Sequence, residues 1–266
     1  MRVLVLIDGE HYPPVTRWGI ETVRAQGHEV VGALMLGGSE KVRDADTLDA
    51  GVPTRAAGDD VFGGLADSIE REHPDGVVDL SDEPVIGYRE RMRLASVALA
   101  GGVVYLGADF RLDPPITEPA LPVPTIAVIG TGKRTGKTAI AGEVARIAGA
   151  LGLAPIVVAM GRGGPSEPQV AEAGSIGLER LLELSREGEH AASDYLEDAL
   201  TTGVTTVGAR RCGGGLAGRP YASNVAEAAR LAASREPGIV ILEGSGASIP
   251  PVPWDAGILV VPSSLP

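Results

Sequence analysis

The chain has 266 residues, of which 44% are hydrophobic and only 3% aromatic, a formal charge of −12 and one cysteine, Cys212. At about 100–200 residues per domain this length predicts two domains with largely aliphatic cores. The acidic balance argues against nucleic-acid binding, a lone cysteine fits a reducing cytoplasm, and no apolar run approaches the roughly 20 residues of a membrane span.

The opening MRVLVLIDGE carries too short an apolar run for a signal peptide. Residues 2–7 read as a buried strand, 14–26 as a helix with Val15, Trp18, Ile20 and Val23 on its apolar face, and 28–36 as a second strand. A polar connection over 45–60 leads to a helix at 61–73, a strand at 76–81, a helix at 86–100 and a strand at 102–107. This alternation predicts a Rossmann-like α/β domain with a parallel sheet over 1–112. Asp8, Glu10 and His11 follow its first strand, where such sheets present ligand-binding groups, and DLSDEP at 79–84 occupies the same edge. Five prolines in 111–124 stop regular structure, and 113–124 reads as a semi-rigid linker.

The second domain, 125–266, starts with a strand at 125–130 and continues with a helix at 138–152 and a strand at 154–160. Helices follow at 176–187 and 192–201. TTVGARRCGGGLAGRP, 205–220, reads as a glycine-rich basic loop, and 223–236 as a helix with Ser223 as its N-cap. Strands at 238–244 and 257–261 complete the series. A covering helix normally follows the last strand of a parallel sheet, so this domain is expected to be truncated at its C-terminus.

Between the strand and the helix that open this P-loop NTPase-like domain lies GTGKRTGKT, residues 130–138. Gly136, Lys137 and Thr138 fill the end of the pattern G-x-x-x-x-G-K-[ST], but Thr131 stands where the first glycine is required. The physical demands are still met. A strand ends, the backbone of Gly130, Thr131, Gly132, Lys133, Arg134, Thr135 and Gly136 is expected to wrap phosphate, and a helix start favours anions. Lys137 is placed for the β- and γ-phosphates of a nucleotide, and the Thr138 hydroxyl for Mg²⁺. The only lysines in the chain are Lys41, Lys133 and Lys137, so two of three lie where a compact charge suits a phosphate.

Glu243 ends the apolar run IVILE at the functional edge of the sheet, where a carboxylate holds Mg²⁺ directly or through water. Lys137, Lys133 and Glu243 are the candidate catalytic residues, and Thr138 and Glu243 the candidate metal ligands. Arg162 in VVAMGRGGPSEP, with Arg210, Arg211 and Arg219 in the basic loop, is expected to hold substrate phosphates. Glu167 is a candidate for the metal shell. Cys212 reads as incidental to catalysis, since no histidine lies nearby in sequence, and His11, His28, His73 and His190 are too scattered for a metal cluster.

The spacing GT-xxxx-GKT and the pair Glu243-Gly244 resemble the dethiobiotin synthetase-like branch of P-loop proteins. Lys133 lies one place from the register of the signature lysine of the related deviant-loop ATPases. Taken in order, IDGEHYPPVTRWGI, DLSDEPVIGYRERMRLAS, IAVIGTGKRTGKTAI, VVAMGRGGPSEP, ARRCGGGLAGRPYASNV and ILEGSGASIPPV resemble the cyclic 2,3-diphosphoglycerate synthetase family over nearly the whole chain. The resemblance implies use of ATP and Mg²⁺ to close an internal pyrophosphate in 2,3-diphosphoglycerate, with release of ADP and phosphate. It also implies a homodimer, and family members considerably longer than this chain. A 2-phosphoglycerate kinase and a nucleotide-switched regulatory ATPase or GTPase are the competing readings.

Overall fold

The computed structural model describes residues 1–38, 40–42, 48–115 and 118–263, so parts of the expected connection at 45–60 and linker at 113–124 lie outside it. The chain divides into two compact units, Met1–Pro115 and Ile116–Pro266.

The first unit runs β1 (Arg2–Ile7), α1 (Pro13–Ala25), β2 (Glu29–Met35), β3 (Thr54–Ala56), α2 (Val61–Glu72), β4 (Gly76–Asp79), α3 (Tyr88–Ala100), β5 (Val104–Leu106) and β6 (Arg111–Leu112). The sheet order is β3-β2-β1-β4-β5-β6. All neighbours are parallel except β5 and β6. β1 is apolar at every position after Arg2 because both its faces are covered. Its alternating side chains feed two cores. Leu4 and Leu6 join Leu34, Leu65, Leu94 and Tyr105 on one face, while Val3, Val5 and Ile7 join Ile20, Val23 and Met35 on the other. β3 falls inside the stretch read as a polar connection. It is a short edge strand pairing with Ala33–Met35, and edge positions need little apolar content.

The second unit runs β7 (Thr125–Gly130), α4 (Lys137–Ala150), β8 (Pro155–Gly161), β9 (Gln169–Ala171), α5 (Leu178–Arg186), α6 (Asp194–Thr202), β10 (Thr205–Cys212), β11 (Ala222–Ser223), α7 (Val225–Ala233), β12 (Ile239–Glu243) and β13 (Ala256–Val260). Its order is β11-β10-β8-β12-β7-β13, with β9 also on β10. The five long strands are parallel, and β9 and β11 are antiparallel to β10. α4 presents Ala141 and Ala145 to Val128, Val157 and Ile241, small residues that let the helix lie close on the sheet. β13 lies at the edge, with Leu259 59% exposed.

One expectation is corrected here. Residues 205–212 are not loop but β10, paired with β8 over Thr205–Arg210 and with β11 at Arg211 and Cys212. Thr205, Thr206 and Val207 favour a strand, and Gly208 is a close-approach site rather than a flexible one. A Cβ there would lie 2.6 Å from Tyr195 Cδ1, so the missing side chain admits the ring from α6. The N-cap of α7 is Asn224, one place beyond the expected Ser223, whose hydroxyl instead accepts the Val225 amide at 3.1 Å.

Candidate nucleotide and anion site

β7 delivers the chain into the 131–136 loop, and α4 starts at Lys137. The Thr131 amide turns outward to the Val260 carbonyl at 3.3 Å. A turn over Lys133 and Arg134 brings the Thr135 amide toward the Gly132 carbonyl, and the amides of residues 132, 133, 134 and 136 meet no acceptor among the described residues. The non-glycine Arg134 holds φ at 60°, a strained conformation of the kind that persists at ligand-binding loops. Lys137 is buried and curls back over the loop, donating to the Gly132 carbonyl at 2.6 Å and the Thr135 hydroxyl at 3.3 Å. Burial holds its pKa below the usual lysine range, with Arg162 and Arg211 acting in the same direction against Glu243 and Asp194. Its ammonium rests directly on two neutral oxygens. Lys133 is exposed on the same loop.

The carboxylates come from two elements. β12 ends in Glu243, 4% exposed, whose Oε1 accepts the Thr138 hydroxyl at 2.5 Å. α6 contributes Asp198, fully buried beside Glu243, and Asp194 at its first residue. Among the described residues, no donor from elsewhere reaches either Asp198 oxygen or Glu243 Oε2. A proton shared between the two carboxyl groups is the only donor left. Burial raises the pKa of both, Asp198 to about 10, where Glu243 adds to the effect. Burial also raises Asp194, against the pull of His190, Lys137, Arg162 and Lys133.

Mg²⁺ suits this donor set. Three buried carboxylate oxygens without donors and a hydroxyl are hard ligands, and Mg²⁺ characteristically takes one or two carboxylates together with phosphates and water. Among the described residues no three His, Cys, Asp or Glu side chains form a cage by themselves. Asp194 and Asp198 were not singled out from sequence. The hint lies in DYLED, which puts Asp194 and Asp198 one helical turn apart on α6, the helix before β10. Glu167 is exposed.

The four arginines divide. Consecutive strand residues point to opposite faces, so Arg210 and Arg211 at the end of β10 part company. Arg211 is 8% exposed and lines a recess of about 550 Å³ with Arg162, Cys212, Gly213, Gly214, Gly215, Ala247 and Ser248. Its Nη1 donates to the Gly213 carbonyl at 2.7 Å and its Nη2 to the Ser245 carbonyl at 3.0 Å, while its buried Nε meets no acceptor among the described residues. Arg162 converges on the same spot. A Cβ on Gly246, whose φ is 60°, would lie 2.9 Å from Arg211 Nη2 and 3.0 Å from Arg162 Nη2. Two guanidiniums that approach one point could hold an anion there. Arg210 belongs elsewhere: its Nε donates to the Gly164 and Pro165 carbonyls at 3.1 and 2.8 Å, bracing the loop after β8. Arg219 is exposed and does not line the recess.

In the first unit Asp8 is 1% exposed at the crevice between β1 and β4. Its Oδ1 accepts the amides of Glu10 and His11 and faces His11 Nδ1 at 2.7 Å, and its Oδ2 accepts the Asp82 amide at 2.8 Å. α1 opens on Pro13 and Pro14, which carry no N–H. The carboxylate therefore fills the donor nest that a phosphate would take in such a turn. Asp8 thus holds the His11 ring and three backbone amides. Glu10 is half-buried.

A loop of free amides between a parallel strand and a helix, opened by Lys137 and Thr138 and faced by an acid on the next strand, defines a P-loop NTPase domain, preceded here by a separate α/β unit. The family description of the cyclic 2,3-diphosphoglycerate synthetase P-loop domain matches residues 125–266, and that of its N-terminal domain matches residues 2–113. A Rubrobacter xylanophilus protein named cyclic 2,3-diphosphoglycerate synthetase is 53% identical over 263 residues, covering 98% of this chain and 59% of its own length. Proteins of the same name from Thermococcus kodakarensis and Methanothermus fervidus are 47% and 42% identical, covering 98% and 100% of this chain and 60% of their own lengths. The chain belongs to the cyclic 2,3-diphosphoglycerate synthetase family, and spans about three-fifths of the length of these relatives.

Proposed function

We propose that the chain binds ATP with Mg²⁺ and 2,3-diphosphoglycerate, and that it carries the phosphoryl-transfer site of a synthetase forming the internal pyrophosphate of the cyclic acid. The observation that carries this reading is the 2.5 Å contact between Thr138 and Glu243, with the Lys137 ammonium and the paired Arg162 and Arg211 around the same centre. The names of the relatives supply the substrate.

Two phosphates on one small molecule repel each other. The γ-phosphoryl of ATP passes to an oxygen of one substrate phosphate as ADP leaves, the second substrate phosphate attacks the phosphorus of that first phosphate ester, and the added phosphoryl group leaves as inorganic phosphate. Such chemistry asks for positioning and charge neutralisation more than for a base. Lys137 swings from the Gly132 carbonyl onto the β- and γ-oxygens. Arg162 and Arg211 hold the two substrate phosphates close, offsetting their repulsion. Thr138, Glu243 and Asp198 would hold Mg²⁺, which neutralises charge developing on the nucleotide oxygens.

Calorimetry tests this with ATP–Mg²⁺ and 2,3-diphosphoglycerate, alone and together. Both should bind, and Lys137→Ala should remove ATP binding while the melting temperature stays close to that of the parent. Failure of 2,3-diphosphoglycerate to bind in either case removes the proposed substrate. Phosphorus NMR of the product distinguishes a ring pyrophosphate from the monoester that a 2-phosphoglycerate kinase would release.

A further inference from the structure

Helix α1 distributes its side chains against the usual rule. Its buried positions are Thr16, Ile20 and Val23, whereas Val15 and Trp18, expected on its apolar face, are exposed, Trp18 by 69%. A buried polar group and an exposed large apolar one are the informative departures from ordinary packing. Thr16 is 6% exposed, and its Oγ1 meets no partner among the described residues, a costly state unless something fills it. Thr16 and Trp18 line a recess of about 150 Å³ with Ile7, Asp8, His11, Val15, Gly19 and Leu80. It lies at the carboxyl ends of β1 and β4, where the strand order reverses and such sheets take ligands. A cavity of that volume accepts a single benzene-sized ring.

The lining sets the polarity of the occupant. It includes no lysine or arginine, so a phosphate or carboxylate would go uncompensated. Asp8 is closed to cations, because Oδ1 accepts the Glu10 and His11 amides and the His11 ring, and Oδ2 accepts the Asp82 amide. A carboxylate only accepts, so His11 Nδ1 carries the proton in their 2.7 Å contact, and Nε2 of the neutral ring is an acceptor. Nε2 has no partner among the described residues. We propose that this recess binds a neutral single aromatic ring bearing a hydroxyl. The ring packs on the Trp18 indole, its O–H donates to His11 Nε2, and its oxygen accepts the Thr16 hydroxyl. Asp8 is the positioning residue that aims His11. The site lies within the first unit and does not rest on the phosphoryl-transfer reading of the second.

The experiment titrates the full chain with phenol, anisole and benzoate and follows the indole N–H signals by proton–nitrogen NMR. The chain holds only Trp18 and Trp254, and Trp18→Phe assigns their signals. Phenol should move the Trp18 signal and leave that of Trp254 in place. It should bind at least about fivefold more tightly than anisole, which cannot donate, or benzoate, which is charged. His11→Leu should bring phenol and anisole to within about twofold of each other while the Trp18 shift persists. Thr16→Val should weaken phenol about threefold or more, and its melting temperature should equal or exceed the parent's, since an unpartnered buried hydroxyl is removed. No movement of the Trp18 signal by about 20 mM phenol, or equal affinities for the three compounds, overturns the proposal. So does a preference for phenol that survives His11→Leu, or a Thr16→Val chain that binds phenol as the parent does.

Discussion

At the scale of single residues, the pair Asp198 and Glu243 shows a site arranged against stability. Both acids are buried, and burial raises both pKa values, Asp198 to about 10. An acid whose folded pKa lies above its unfolded value binds its proton more tightly when folded. Its contribution is therefore full below the unfolded value near 3.8 and is lost as pH rises toward 10, with a slope of at most about 1.4 kcal/mol per pH unit. Asparagine does not titrate. Asp198→Asn should thus raise the melting temperature, more at pH 8 than at pH 5, while weakening Mg²⁺–ATP binding by about tenfold or more. Differential scanning fluorimetry across pH and calorimetry at one pH check the two halves. Gly246 makes a second case. Alanine there strains a backbone at φ 60° and puts a methyl against both guanidiniums. Gly246→Ala should cost only about 1 kcal/mol of stability but weaken pyrophosphate binding several-fold, as read by calorimetry.

At the scale of elements, β10 decides how the arginines are used. Its register against β8 sends Arg211 into the recess and Arg210 onto the loop after β8. The strand can lie there because Gly208 yields to the Tyr195 ring on α6. Gly208→Ala should cost about 1–3 kcal/mol by urea unfolding. The same substitution in a Tyr195→Leu background should cost less, because the ring that it strikes is gone. The misread stretch 205–212 was hard to assign for a physical reason. Two arginines and a run of glycines at 213–215 imitate a loop, while the pairing that makes it a strand comes from β8, some 50 residues earlier.

At the scale of the molecule, each unit is built around its own cores. The clusters of the first draw only on residues 3–112, and those of the second only on residues 121–260. A fragment of residues 1–115 should therefore fold alone, with a single cooperative transition by circular dichroism and the Asp8–His11 contact intact. A fragment that fails to melt cooperatively would show that the first unit depends on the second.

What the amino-acid sequence settled by itself was local. Runs of Val, Leu and Ile at strand spacing and alanine-rich helices told of two α/β sheets, because burial on both faces of a parallel strand demands such runs. The stretch GTGKRTGKT and the acid closing IVILE were readable because a phosphate loop is contiguous in the chain. The tertiary structure alone decided which side chains meet. Asp198 reaches Glu243 across α6 and β12, Arg162 meets Arg211 across β8 and β10, and Asp8 turns inward onto amides that a ligand would otherwise take. Those choices depend on strand register and on which face each residue presents, and register is a property of two segments together, written in neither one alone.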